Sequence, residues 1–128
     1  MMRCVLVDTS VWVDHFRHRN EALVGLLNLD AVLTHPMILV ELACGTPPAP
    51  RVQTLKYIGL LQQSQQIGLS EIMGFLEDHM LYGLGCGLVD MALLASALAT
   101  PGAQLWTVDK RLAALAERFD VMYQPAPH

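Results

Sequence analysis

Four acidic side chains stand where chemistry would need them. Asp8 closes the apolar run CVLVD ahead of TSVWVDHF, and Glu41 lies inside HPMILVELACG. Asp90 opens GLVDMALLASALA, and Asp109 closes LWTVD ahead of KRLAALAERF. Each is expected where a strand ends or a helix begins. In an open α/β sheet those positions face the ligand crevice at the carboxyl ends of the strands. Carboxylates gathered there can hold Mg²⁺ or Mn²⁺, hard cations that take oxygen ligands and often carry phosphate groups.

The other eight acids, Asp14, Glu21, Asp30, Glu71, Glu77, Asp78, Glu117 and Asp120, fall among polar neighbours and read as solvated faces, caps or turns. Glu41 and Asp90 instead interrupt ILVELA and LVDMALLA, so burial is expected of both. A buried carboxylate without partners is costly and tends to protonate, and a cation supplies the missing compensation. Asp8 and Asp109, taken singly, are well explained as helix N-caps. A shared metal site accounts for all four together. Thr9, Ser10 and Thr107 sit beside the first and last acids and can hydrogen-bond carboxylates or metal-bound water from behind, although Ser10 serves equally as a helix cap.

The elements that would position these residues alternate. Residues 3–8 form a continuous apolar run, as a buried parallel strand does. Ser10 caps a helix to Phe16, and a second helix spans Glu21 to Leu29. Ala31–Thr34 is a short strand, and Pro36 begins a helix ending near Cys44, with Gly45 beyond it. TPPAP at 46–50 is a loop. Arg51–Gln62 is a helix, Gln66–Leu69 a brief strand, and Ser70 caps a helix to about Tyr82. GLGCG at 83–87 breaks the chain before the helix of Asp90. Leu105–Val108 is a strand, a helix starts at Asp109 or Lys110, and Phe119–Tyr123 adds a last strand. The expectation is one domain over 1–128, a three-layer α/β/α fold with a mostly parallel sheet, and a frayed tail from about 124.

With 53% apolar and 16% charged residues, the chain is not disordered and has a surplus of apolar surface for partners. That surplus points to a homodimer through the helices near 21–29 or 91–99. No apolar run approaches the ~18 residues of a membrane span, and Met1–Val7 is too short for a signal peptide, so the expected compartment is the cytoplasm. Cys4, Cys44 and Cys86 are odd in number and far apart, which suits reduced thiols. Cys44 and Cys86, each within a turn of a proposed ligand, read as incidental packing. The formal net charge of −4 argues against nucleic acid. Bound metal would offset part of it, and Arg17, Arg19, Lys110 and Arg111 are clustered cations able to hold an RNA backbone. His15, His35 and His79 read as surface or capping residues. Trp12 and Trp106 read as core or dimer contacts.

DTSVWVDHFR, HPMILVELACG, GLVDMALLASA and LWTVDKRL, in this order and spacing, resemble the PIN-domain ribonucleases and most closely the VapC toxins of bacterial toxin–antitoxin pairs. The resemblance covers residues 3 to about 122, with little signature in 46–82. It implies that Asp8, Glu41, Asp90 and Asp109 are the catalytic, metal-binding acids of a Mg²⁺- or Mn²⁺-dependent endoribonuclease acting on single-stranded RNA or tRNA loops. It also implies homodimerisation and inhibition by a cognate antitoxin. Water activated by metal would be the nucleophile, with Glu41 or Asp109 as the group that takes its proton. Two other classes compete. An aspartate-based phosphatase is disfavoured because Asp8 is followed by TSV, without a second aspartate two residues on, and no suitably placed lysine follows LWTVD. A catalytically inactive PIN-like RNA-binding or assembly module would be marked by loss of an acid, and all four are present.

Overall fold

The computed structural model describes residues 3–126. Its sheet has four strands, all parallel, in the order β3-β2-β1-β4: β1 (Cys4–Val7), β2 (Val32–Thr34), β3 (Gln62–Gln63) and β4 (Ala103–Trp106). The described residues also form seven helices, six between strands and the last after β4: α1 (Thr9–Arg17), α2 (Glu21–Asn28), α3 (Pro36–Cys44), α4 (Arg51–Gly59), α5 (Leu69–Asp78), α6 (Leu88–Ala99) and α7 (Lys110–Arg118). The α/β class with its parallel sheet is as expected. Val5, Leu6 and Val7 are buried in succession, because a parallel strand covered on both faces has no solvent side to alternate with.

Strand order decides where a site can form. The chain steps outward from β1 to β2 to β3, then returns across the sheet to β4 on the other side of β1. Crossovers between parallel strands are right-handed, so reversing direction moves the connecting helices to the opposite face. The packing agrees, with α1 against α3 and α3 against α4, and separately α5 and α7 against α6. The reversal lies between β1 and β4. A crevice opens at such a switch point, at the carboxyl ends of the two strands, where Asp8 and Asp109 follow β1 and β4. Helix α6 is buried continuously from Met91 to Ala97, as a helix apolar on all sides must be. Of the dimer face expected near 91–99, Met91 to Ala97 are covered by the protein's own core, and only Leu98 and Ala99 are left exposed.

Several boundaries move. The third strand is Gln62–Gln63, not Gln66–Leu69, and the helix before it stops at Gly59. Both glutamines are exposed, since an edge strand that faces water carries no apolar signal. Gly68, not Ser70, occupies the N-cap of α5. The fourth strand begins at Ala103, and the expected last strand shrinks to one parallel bridge between Leu105 and Met122. Three helices end on left-handed residues that are not glycine: Asp30, Met80 and Asp120. In each case the following N–H reaches back five residues, Ala31 to Leu26 O, Leu81 to Leu76 O and Val121 to Ala116 O. This is the Schellman closure. A reading that takes glycine as the stop signal runs α5 on to Tyr82, whereas it ends at Asp78. Tyr123 is pinned by its N–H to Leu105 O and by its ring against Trp106. Of the tail expected to fray, Pro127 and His128 lie outside the described residues.

Candidate active site

Asp8 is the buried carboxylate, at 6% exposure. It stands at the N-cap position of α1, yet its side chain caps nothing. Its Oδ2 instead accepts hydrogen bonds from Ser10 Oγ at 2.6 Å and Thr107 Oγ1 at 2.8 Å. Each hydroxyl has one proton, so both protons are committed to Asp8 and the two oxygens, 3.2 Å apart, are left to accept. Ser10 Oγ accepts from Val108 N and Thr107 Oγ1 from Asp109 N, each at 3.1 Å. The turn that carries Asp109 is thus hung on Asp8 through two hydroxyls. Ser10 is therefore a partner of Asp8 within the helix, not the expected cap, and Thr107 lies just past the end of β4.

Glu41 departs from expectation twice. It lies well inside α3 and not at a helix start, and it is exposed. The apolar letters around it belong to the other faces of α3, on which Ile38 and Leu42 are buried. Thr9 Oγ1 donates to its Oε1 at 2.6 Å. Asp90 is half-buried in the first turn of α6, where Gly87 N–H points to its Oδ2 at 3.4 Å. Asp109 does cap: its Oδ1 accepts from Arg111 N at 2.9 Å and Leu112 N at 3.1 Å, beginning α7.

The four carboxylates share one electrostatic neighbourhood. Burial raises the pKa of Asp90 above the ordinary carboxylate value, the Gly87 N–H opposes this, and the charges of Asp8, Asp109 and Glu41 raise it further. Burial likewise raises the Cys86 thiol, followed by Asp90 and Asp109. Among the described residues, the sole ion pair joins Arg19 to Glu21, so no lysine or arginine is paired with this group. Nor do any three His, Cys, Asp or Glu residues among them close into a ready cage. Each acid is held toward its own donor, and the four repel one another.

The expected basic contacts separate. Arg19 is spent on Glu21 at 2.7 Å on the surface. Arg17 is exposed at the end of α1 and lines a cavity that Glu41 also lines. Lys110 is exposed at the start of α7. The Arg111 guanidinium lies over Gly85, whose φ is +86°, so close that a Cβ there would meet Nη1 at 2.8 Å. Gly85 and Cys86 thus belong to the rim of the site, which the sequence marked only as a glycine-rich break. His35 is the N-cap of α3, its Nδ1 accepting Met37 N at 3.0 Å. His15 Nδ1 accepts Asn20 N at 3.0 Å.

Comparison with known proteins gives a family model, the PIN domain, that matches residues 5–118. Two curated relatives are the Ribonuclease VapC32 proteins of Mycobacterium tuberculosis strains CDC 1551 / Oshkosh and ATCC 25618 / H37Rv. Each is 41% identical over 114 residues, covering 88% of this chain and 91% of the relative.

Proposed function

This chain belongs to the PIN-domain family, in its VapC type, and we propose that it is a divalent-metal-dependent endoribonuclease acting as the toxin of a toxin–antitoxin pair. The observation that carries the reading is the Asp90 carboxylate, whose pKa is raised by burial and by three other acids, with no basic side chain paired to any of them among the described residues. Uncompensated negative charge at a sheet's switch point suits a hard cation.

Asp8, Glu41, Asp90 and Asp109 would hold Mg²⁺ or Mn²⁺, which when bound lowers the pKa of water and offsets charge on an attacked phosphate. The chain's own residues do the positioning. Ser10 and Thr107 fix Asp8, and Thr9 orients Glu41. Asp109 has its Oδ1 engaged by two backbone N–H groups. Glu41, exposed and held by one hydroxyl where Asp109 is engaged by two N–H groups, is the better placed of the two to take the proton from attacking water. Lys110, Arg111 and Arg17 would meet the RNA backbone, with Arg19 left to Glu21.

Residues 1–128 would act as one unit in the cytoplasm. No helix of the described residues is long and apolar enough to cross a membrane. A homodimer would use exposed apolar residues outside the buried stretch of α6, such as Leu29 just past α2 and Leu69 and Met73 on α5. A cognate antitoxin would place an arginine among the acids, pairing with them bidentately. Digestion of total RNA by the purified protein tests the proposal. Cleavage should occur with Mg²⁺ and stop with EDTA, and Asp8→Asn and Asp90→Asn should each abolish it. Cleavage that persists in EDTA, or in either folded variant, refutes it.

A further inference from the structure

Val13, Phe16 and Arg17 recur at the i, i+3, i+4 spacing that gathers side chains on one helix face. On α3, Glu41 and Leu42 border the same space, with Gly45 just past the helix end. These two helices meet, and residues 46–48 border with them an open cavity of about 510 Å³. Its walls are mixed: Val13, Phe16, Leu42 and Pro47 are apolar, while Arg17 and Glu41 are charged. Arg17 forms no ion pair or side-chain hydrogen bond among the described residues, and Glu41 also belongs to the group of four acids.

We propose that this cavity is a subsite for one unpaired nucleobase of the RNA, next to the cleaved bond, with Arg17 on the phosphate flanking that base. The inference rests on the ribonuclease reading and adds the residues that choose the substrate. Its volume falls within the range of small-molecule sites. A base has two flat apolar faces, which an aromatic ring and a proline accept, and every base is tied to a phosphate, which a guanidinium accepts. Because Glu41 is common to the cavity and the acids, a base seated here leaves its neighbouring phosphodiester at the carboxylates. A purely apolar peptide anchor would leave Arg17 and Glu41 unmatched.

The test uses an oligoribonucleotide with a mapped cleavage site and two partners, each abasic at one nucleotide flanking that site. The unaltered protein should lose roughly 10- to 100-fold in kcat/KM on one abasic partner only, the range expected for one lost base stack. Phe16→Leu removes the aromatic face and Thr46→Trp fills the cavity, and both should cleave intact and abasic RNA at similarly reduced rates. Arg17→Gln should weaken binding of intact and abasic RNA alike, read by fluorescence anisotropy in an Asp8→Asn background. Indifference of the unaltered protein to both abasic positions overturns the subsite while leaving ribonuclease activity intact. So does a Thr46→Trp variant that cleaves normally yet escapes inhibition by a protein partner. Absence of any EDTA-sensitive cleavage by the unaltered protein sinks the ribonuclease reading and the subsite with it.

Discussion

Replacing Thr107 by valine keeps the side chain's shape and removes its hydroxyl. In this protein that hydroxyl donates to Asp8 Oδ2 at 2.8 Å and accepts Asp109 N–H at 3.1 Å. A hydrogen bond to a charged group contributes about 1.5–3 kcal/mol and a neutral one about 1 kcal/mol. Thr107 is half-exposed, so water replaces part of both, and the net cost is expected to be about 1–2 kcal/mol. Ser10→Ala should cost a similar amount, because Ser10 also donates to Oδ2 and accepts a backbone N–H. The double variant leaves Asp8, at 6% exposure, with neither of its hydroxyl donors. Its cost should exceed the sum of the singles by about 0.5 kcal/mol or more, as groups in one network couple. Urea unfolding followed by circular dichroism measures all four corners of the cycle at pH 7 with EDTA. RNA cleavage by the single variants should fall about 10- to 100-fold, the usual consequence of losing a group that orients a metal-binding side chain. A cycle that is additive within error, or a Thr107→Val midpoint equal to that of the unaltered protein, would refute the claim that Asp8 organises the turn carrying Asp109.

Asp90→Asn should raise the melting temperature at pH 7 in EDTA while abolishing cleavage. The raised pKa means the folded chain binds this proton more tightly than the unfolded one, so the associated stability exists at low pH and disappears as pH rises through the folded value. A lower melting point for the variant at pH 7 would contradict this. His35 behaves oppositely: burial lowers its pKa from 6.5, and its Nδ1 must be unprotonated to accept the Met37 N–H. Its contribution is complete above 6.5 and is lost as pH falls through the depressed folded value. His35→Asn, a neutral cap, should therefore flatten the fall in urea midpoint below pH 6.5, and an unchanged slope would count against it. Gly85→Ala should cost about 1–2 kcal/mol for a left-handed residue that gains a Cβ, and should push Arg111 off the glycine-rich loop. Equal stability by thermal melting would show that this turn is not constrained. A sedimentation profile unaffected by Met73→Asp would rule out α5 as the dimer face, since Met73 is 62% exposed there.

The letters of the chain determined the elements whose signals are local. CVLV followed by an acid is legible as a buried strand ending at a crevice, and Asp109 before KRLAALAERF is legible as a cap, because neither depends on distant residues. The order of the four acidic motifs was also enough to indicate the PIN family. Tertiary structure decided what depends on who faces whom. Gln62–Gln63 becomes a strand only because β2 is there to pair with it, and its exposure erases any apolar pattern. Glu41 looked buried in ILVELA, yet in a helix adjacent letters point in different directions, and only packing shows which face meets solvent. Asp8 looked like a cap, but its hydroxyl partner Thr107 is 99 residues away in the chain and reaches it only because β4 lies beside β1. The cavity of Phe16, Arg17 and Glu41 has the same origin. Helical spacing gathers the α1 face, but only the docking of α1 against α3 makes it one site with Glu41.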